Sequence, residues 1–564
     1  MKKGVPVRGR DYLPKFMQDV LSILGNKILY DPKTKSQDIA DILAVRYGDL
    51  GDLEKSLDDL YDPYLLADMD KAVARIKQAK EKGERVVVFW DYDVDGATST
   101  SILIHFFKTI GMQCSYRLPD RVKDGYGLKN YFIDELHEKD VKLIITVDCG
   151  TRDVDCVKHA KSLWIDVIIT DHHAVPDQIP EEAVALINPK RKDCAYPFKW
   201  LAGAGVAYKL MMALAREYMD DEQYSNYLRE SIDIAAIGTV ADCMQLTGEN
   251  RIIVIEWLKQ IKNTRSRGIK ELISHKMEEN LDADIFGFLI GPRLNAAGRM
   301  WSPYKAVNLI LNQWDGLEQT LAEIETMNTD RKALTTSFVD DALLNINPKD
   351  NLIFYDSTDV THGIIGIVAG RLTEKYYKPS IVLVRHDDKL VASCRSPDYF
   401  DMITTLGKYK DYFLSFGWHK QAAWFSISVD KFDEFKEKIL EELNALPFDQ
   451  YKREIKIDKV VELDELGFKF LEKVNVYKPF GMGNTKPLFI VEDFQFKAVR
   501  YLGKWVDHIR FDTKQGFKVF WFFMWEHMDD IKKADKIDLI FDIAEDLWNG
   551  RRNLMLKIVD IVIH

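Results

Sequence analysis

The stretch RVVVFWDYDVDG, residues 85–96, sets a β-branched run directly before three aspartates. The same order recurs downstream: KLIITV (142–147) runs into Asp148-Cys149-Gly150, and DVIIT (166–170) into Asp171-His172-His173. Helical stretches lie between these runs, ATSTSILIHFFKTIG at 97–111 and VDCVKHAKSL at 154–163. Short apolar strands alternating with helices predict βαβ units and a parallel sheet, in which ligands gather at the carboxyl ends of the strands. A fourth segment, IAAIGTVADCMQL (234–246), sets Asp242 after another apolar run, which is read in the same way, as a strand end.

Outward from this core the pattern changes. Residues 1–80 read as a polar helical segment, and 81–260 as the α/β domain that holds the acidic turns. Residues 261–345 end in a charged helical stretch, read as a long connecting helix or helix pair, and 346–450 form a second α/β domain. From 455 to 564, strand-like runs such as FKVFWFFMW and KIDLIFDIAEDLW predict a small β-barrel of OB type.

A chain of 564 residues is too long for one core. Its 46% hydrophobic and 30% charged residues fit folded domains rather than disorder. The start, MKKGVPVRGRDYLPKF, has no apolar stretch behind its lysines, and no run approaches the roughly 20 residues of a membrane span, so the expected location is the cytoplasm. The six cysteines form no CxxC pair and read as reduced thiols. A net charge of −11 does not exclude nucleic acid, because binding depends on local potential.

Hard divalent cations favour carboxylate oxygens, and Mn²⁺ also accepts imidazole. Two such ions about 3.5–4 Å apart can activate a water and stabilise the leaving oxygen of a phosphodiester. Asp93 and Asp95, two apart on an extended turn, point the same way and could each serve one ion. A single strand-end aspartate is usually a cap or a surface residue, but four ordered clusters are not explained that way.

DYDVDG (91–96), VDCG (147–150), DHH (171–173) and GTVADCM (238–244) resemble the four ordered motifs of the DHH phosphoesterase superfamily. GYGL (125–128), GAGVAYKL (203–210) and GPRLNAAGRM (291–300) extend the likeness. HGIIGIVAGRL (362–372), SCRSP (393–397) and the GxH at 417–419 resemble the DHH-associated domain. KPFGMGN (478–484) and LWNGRRNLMLKIVDI (547–561) resemble the OB domain of the RecJ family, so the likeness runs from about 75 to 564.

The resemblance implies an exonuclease that degrades single-stranded DNA 5′→3′ in repair and recombination. By that likeness Asp93, Asp95, Asp148, His172 and Asp242 hold two Mn²⁺ or Mg²⁺ ions, with Asp148 bridging. His173 contacts the scissile phosphate, Asp171 orients an imidazole, and Asp91 supports the loop. Arg121, Arg293, Arg299, Ser393, Arg395 and His419 match phosphate-holding positions, Ser393 and Arg395 being the pair for a 5′ phosphate. A helicase and a single-strand-binding protein are the implied partners, and a monomer is expected. Two other readings are a phosphatase of short nucleotides, which generally lacks the OB domain, and a catalytically dead replication scaffold, which is expected to have lost metal ligands.

Two departures stand out. Some relatives carry histidine four residues before the first ligand, where this chain has Phe89, so one metal site is expected to have a water in that place. Tryptophan also stands where related sequences and turn chemistry call for glycine: Trp90, Trp164, Trp200, Trp301, Trp418 and Trp424, with Trp257, Trp505, Trp521 and Trp525 weaker cases. Trp548, in LWNG, is a family tryptophan. Twelve tryptophans against 31 glycines leave glycine below its usual share of about 7%. The expectation is a decoding mismatch, UGA codons that the organism reads as glycine being translated as tryptophan. The rival is tryptophan recruited to stack on bases.

Overall fold

Strand β1, Arg85–Trp90, lies inside a sheet whose strands are all parallel: β2 Cys114–Arg117, β3 Val141–Val147, β4 Asp166–Thr170 and β5 Ala185–Ile187, in the order β2-β1-β3-β4-β5. The computed structural model describes residues 18–48, 53–90, 92–118, 127–274, 282–300, 303–311, 316–357, 363–386, 388–418, 420–447, 451–503, 507–548 and 551–564. Asp91, Arg121, Trp301, His419 and Trp505 lie outside the described residues.

Alternation along β1 explains its composition. Val86, Val88 and Trp90 enter one apolar core and Val87 and Phe89 the other, so both faces are covered. Each fully buried aliphatic side chain of this kind contributes about 1.5–3 kcal/mol. The first core is completed by helices α1 Val94–Thr109, α3 Gly203–Tyr218 and α4 Asp221–Ala241, and the second by helix Asn130–Glu138 and helix α2, Val154–Ser162.

Two local expectations are corrected. Asp95 is not on an extended turn: Asp93 caps α1, accepting from Gly96 N at 3.0 Å, and Asp95 lies in its first helical turn. Asp242 does not follow a strand. It caps the C-terminus of α4, a 21-residue helix. The apolar run before it is helical, and it reads as a strand because Ile232–Thr239 is buried on all sides, which removes the amphipathic period that separates helix from strand.

The long connecting helix is present as Leu317–Asn345, preceded by Tyr304–Leu311. After it comes a mixed five-stranded sheet, Phe413–Trp418, Ala422–Ser428, Lys389–Arg395, Ser380–His386 and Ile353–Ser357 in spatial order, with helix Ile365–Tyr376 against it. These elements share one compact unit, 55–447 with 481–483.

The other unit joins 1–54 to 448–480 and 484–564, and its seven-stranded sheet spans Lys459–Val460 through Arg551–Ile563. The N-terminal segment is therefore not simply helical. Gln18–Leu21 and Lys27–Tyr30 are strands, and the second pairs in parallel with Glu454–Lys456. Ile28 and Tyr30 are buried with Val460, Ile490 and Ile540, a partnership between distant segments that local periodicity cannot reveal.

Candidate metal-dependent active site

The parallel sheet delivers three of the four acidic segments to its carboxyl edge. Asp148 follows β3 with φ +59, a left-handed conformation that an aspartate tolerates, and Asp171 follows β4. The N-terminus of α3 faces them. Its Gly203 and Ala204 N–H groups donate to Asp95 at 2.6 and 2.8 Å. Gly203 permits this approach, because a Cβ there would lie 2.7 Å from Asp148 Oδ1.

His172 Nε2 stands amid three carboxylates, 3.1 Å from Asp148 Oδ1, 3.6 Å from Asp242 Oδ2 and 3.7 Å from Asp95 Oδ2. Burial, and then the charge of His173, press the His172 pKa down to about 3, which leaves the neutral imidazole that metals accept. Burial and then the Asp93 charge push Asp95 up to about 7. Burial and the charges of Asp95 and Asp93 hold Asp242 well above the carboxylate range, and its buried Oδ2 has no hydrogen-bond partner among the described residues. Crowded carboxylates around a neutral imidazole are short of positive charge. Two donor groups fit a cation there: Asp95, His172 and Asp242, and Asp148, His172 and His173.

His173 differs from its neighbour. Its Nδ1–H donates to Asp171 Oδ1 at 2.8 Å, and Asp171 also accepts from the backbone N–H groups of Thr151, His172 and His173. Burial opposes the charge on His173, but the bond and charge of Asp171, with Asp242 and Asp93, raise its pKa to about 9. The same pairing, against burial, holds Asp171 well below the ordinary range. Sequence reading missed what fixes this loop. Asn188, wholly buried after β5, donates through Nδ2 to His173 O at 3.0 Å and to Thr151 Oγ1 at 3.2 Å. Lys190, two residues on, lies near enough for the Asp242 and Asp171 charges to act on it, although burial lowers its pKa.

The structure brings Asp95, Asp148, His172 and Asp242 together and leaves Asp93 outside both donor groups, at the cap of α1. The expected phosphate residues divide. Arg395 Nη1 donates to Ser393 Oγ at 3.3 Å and to Cys394 O at 2.7 Å, and a Cβ on Gly366, in the first turn of helix Ile365–Tyr376, would meet both side chains at 3.1 Å. Serine hydroxyl, guanidinium and helix N-terminus thus converge. Arg299 Nη1 donates to Gly363 O at 2.9 Å, at the mouth of the same helix. Its own helix, Gly291–Arg299, approaches the metal loop so closely that a Cβ on Gly298 would lie 2.3 Å from Tyr92 O. Arg293 is instead ion-paired with Glu325 on the long helix.

Family models match three segments: the N-terminal domain of the DHH family at 85–239, the DHHA1 domain at 349–445 and the RecJ OB domain at 457–560. The chain is 34% identical over 468 residues to the single-stranded-DNA-specific exonuclease RecJ of Escherichia coli, covering 78% of this chain and 80% of that protein. The chain belongs to the RecJ family. The RecJ of Bacillus subtilis is 33% identical over 518 residues, covering 90% of this chain, which spans 64% of that longer protein. The crystal structure of Thermus thermophilus RecJ with Mn²⁺ matches with a TM-score of 0.80 at 26% identity, over 93% of this chain and 75% of that one. The same RecJ with Mg²⁺ matches at 0.74 and 25% identity, over 93% and 74%. No helix among the described residues is long and apolar enough to cross a membrane.

Proposed function

We propose that this chain hydrolyses single-stranded DNA from its 5′ end with two divalent cations, Mn²⁺ or Mg²⁺. The convergence of Asp95, Asp148 and Asp242 on His172 Nε2, beside the His173–Asp171 pair, carries the reading. Asp93, Asp95, Asp148, His172 and Asp242 would hold the cations, Asp148 serving both. When bound, the cations supply Lewis acidity and an activated water.

The chain's own groups do the rest. A protonated His173, oriented by Asp171, compensates charge on the scissile phosphate. The hydroxyl of Ser393, the guanidinium of Arg395 and the N-terminus of helix Ile365–Tyr376 form a site for a terminal phosphate, a group that suits both a helix N-terminus and an arginine fork. Helix Gly291–Arg299 links that helix to the metal loop, Arg299 bonding Gly363 and Gly298 lying against Tyr92, which supports one strand end being held at a set distance from the cations. Arg293 is assigned a supporting role through Glu325, and Arg121 and His419 keep the phosphate roles that the resemblance implies. The RecJ OB match supports a strand-tracking C-terminal unit. The resemblance further implies a cytoplasmic monomer working in repair and recombination with a helicase and a single-strand-binding protein.

The test compares single strands that carry a 5′ phosphate or a 5′ hydroxyl. The chain is expected to prefer the phosphate, and Arg395→Ala is expected to erase the preference by raising KM more than it lowers kcat. An unchanged preference in that variant removes Ser393 and Arg395 from the 5′ site.

A further inference from the structure

We infer that the natural gene product carries glycine where this chain has Trp164, Trp90 and Trp257, the codons being UGA read as glycine. The clearest position is Trp164. Helix α2 ends in a Schellman closure: Trp164 N donates to Lys161 O at 3.1 Å, and Ile165 N reaches back to Ala160 O at 3.0 Å. The residue at the turn of such a closure is left-handed, and Trp164 has φ +60.

The chain contains its own comparisons. Gly83 (φ +64) closes helix Met69–Lys82, with Gly83 N on Lys80 O and Glu84 N on Ala79 O. Gly111 (φ +70) closes α1, with its N on Lys108 O and Met112 N on Phe107 O. Four helices among the described residues end in this hydrogen-bond pattern: glycine closes two of them, and Cys243 (φ +52), with its N on Val240 O, Met244 N on Thr239 O and its thiol 3.9 Å from Ala241 O, closes α4. In α2, by contrast, a tryptophan side chain stands 85% exposed with no ring or hydrogen-bond partner among the described residues. Tyr377 and Phe523 also take positive φ, but their rings are engaged, Tyr377 by Asp398 and Tyr399 and Phe523 by His508.

Trp90 and Trp257 fail differently. Both are wholly buried, Trp90 edge-on to Tyr304 and Trp257 against Phe286, and the indole Nε1–H of each has no hydrogen-bond partner among the described residues, although a buried tryptophan normally finds one. A side chain with no exposed surface cannot stack on a nucleic-acid base, so recruitment for base stacking does not account for Trp90 or Trp257. Nor does it account for Trp164, which stands at the start of β4, the end of the sheet opposite the carboxylates. One cause covers an exposed residue with no partner, a strained turn and two orphaned donors. The left-handed turn at 164 calls for the residue without a side chain, and at 90 and 257 the tryptophan leaves a buried donor unsatisfied.

The direct test is mass spectrometry of the protein purified from its own cells, read on the peptide that spans residue 164 and on those that span 90 and 257. Glycine masses are expected, and tryptophan masses or UGG codons at these positions would overturn the inference. In the recombinant chain, Trp164→Gly leaves no cavity and is expected to raise the unfolding midpoint, whereas Trp164→Ala, which keeps a Cβ at positive φ, is expected to gain less. An unchanged or lowered midpoint for Trp164→Gly contradicts the account.

Discussion

Asp148 belongs to one donor group and lies 3.1 Å from Nε2 of His172, the residue that both groups share. Asp148→Ala should therefore reduce kcat by more than the roughly 10–100-fold that loss of an outer partner costs a metal site. Binding of single strands, measured by fluorescence anisotropy, should stay near the parent value. Asn188→Ala removes the tie between β5 and the DHH loop and should lower kcat by about 10–100-fold with little change in KM. An equal rise in KM would show that Asn188 acts on binding instead. At this scale the sequence was legible where chemistry has its own letters: DYDVDG, VDCG and DHH announce carboxylate and imidazole by name. Asn188 was missed because an asparagine before a proline reads as a turn. The Gly203 and Ala204 N–H groups were missed because a backbone donor has no letter at all.

The elements place these residues by two routes. Turns after β3 and β4 bring Asp148 and Asp171 to one edge, while helix ends supply the rest: the first turn of α1 brings Asp95, the end of α4 brings Asp242, and the start of α3 holds Asp95 by backbone donors. The strand-end turns were legible from the β-branched runs. The helical setting of Asp242 was not, because a helix buried on every face has no polar stripe. Gly203→Ala tests the second route. Its methyl group would meet Asp148 Oδ1 at 2.7 Å, so the variant should lose about 1–3 kcal/mol of stability by urea unfolding. It should also bind Mn²⁺ more weakly by calorimetry, and wild-type Mn²⁺ affinity in a destabilised variant would mean that the α3 approach serves packing alone.

At the scale of the whole chain, cutting at residue 455 does not follow the grain of the molecule. Ile39 and Leu43 are buried with Val461, Phe470 and Leu471, so removing 455–564 alone strips their cover. Residues 1–454 should aggregate, while 55–447 should remain soluble by gel filtration and cleave very short strands, losing chiefly affinity for long ones. Soluble, monomeric 1–454 would contradict the discontinuous unit. This pairing of the first and last segments was hidden from the sequence, which shows local periodicity and not which distant strands share a sheet. The central claim is 5′→3′ hydrolysis by a carboxylate-held pair of cations. Its most direct measurement is a Mn²⁺-started time course on 5′-phosphorylated single strands labelled at either end. Mononucleotides released first from the 5′ end, abolished by chelation and by Asp148→Ala, are the predicted result, and release from the 3′ end, or cleavage that survives Asp148→Ala, would contradict it.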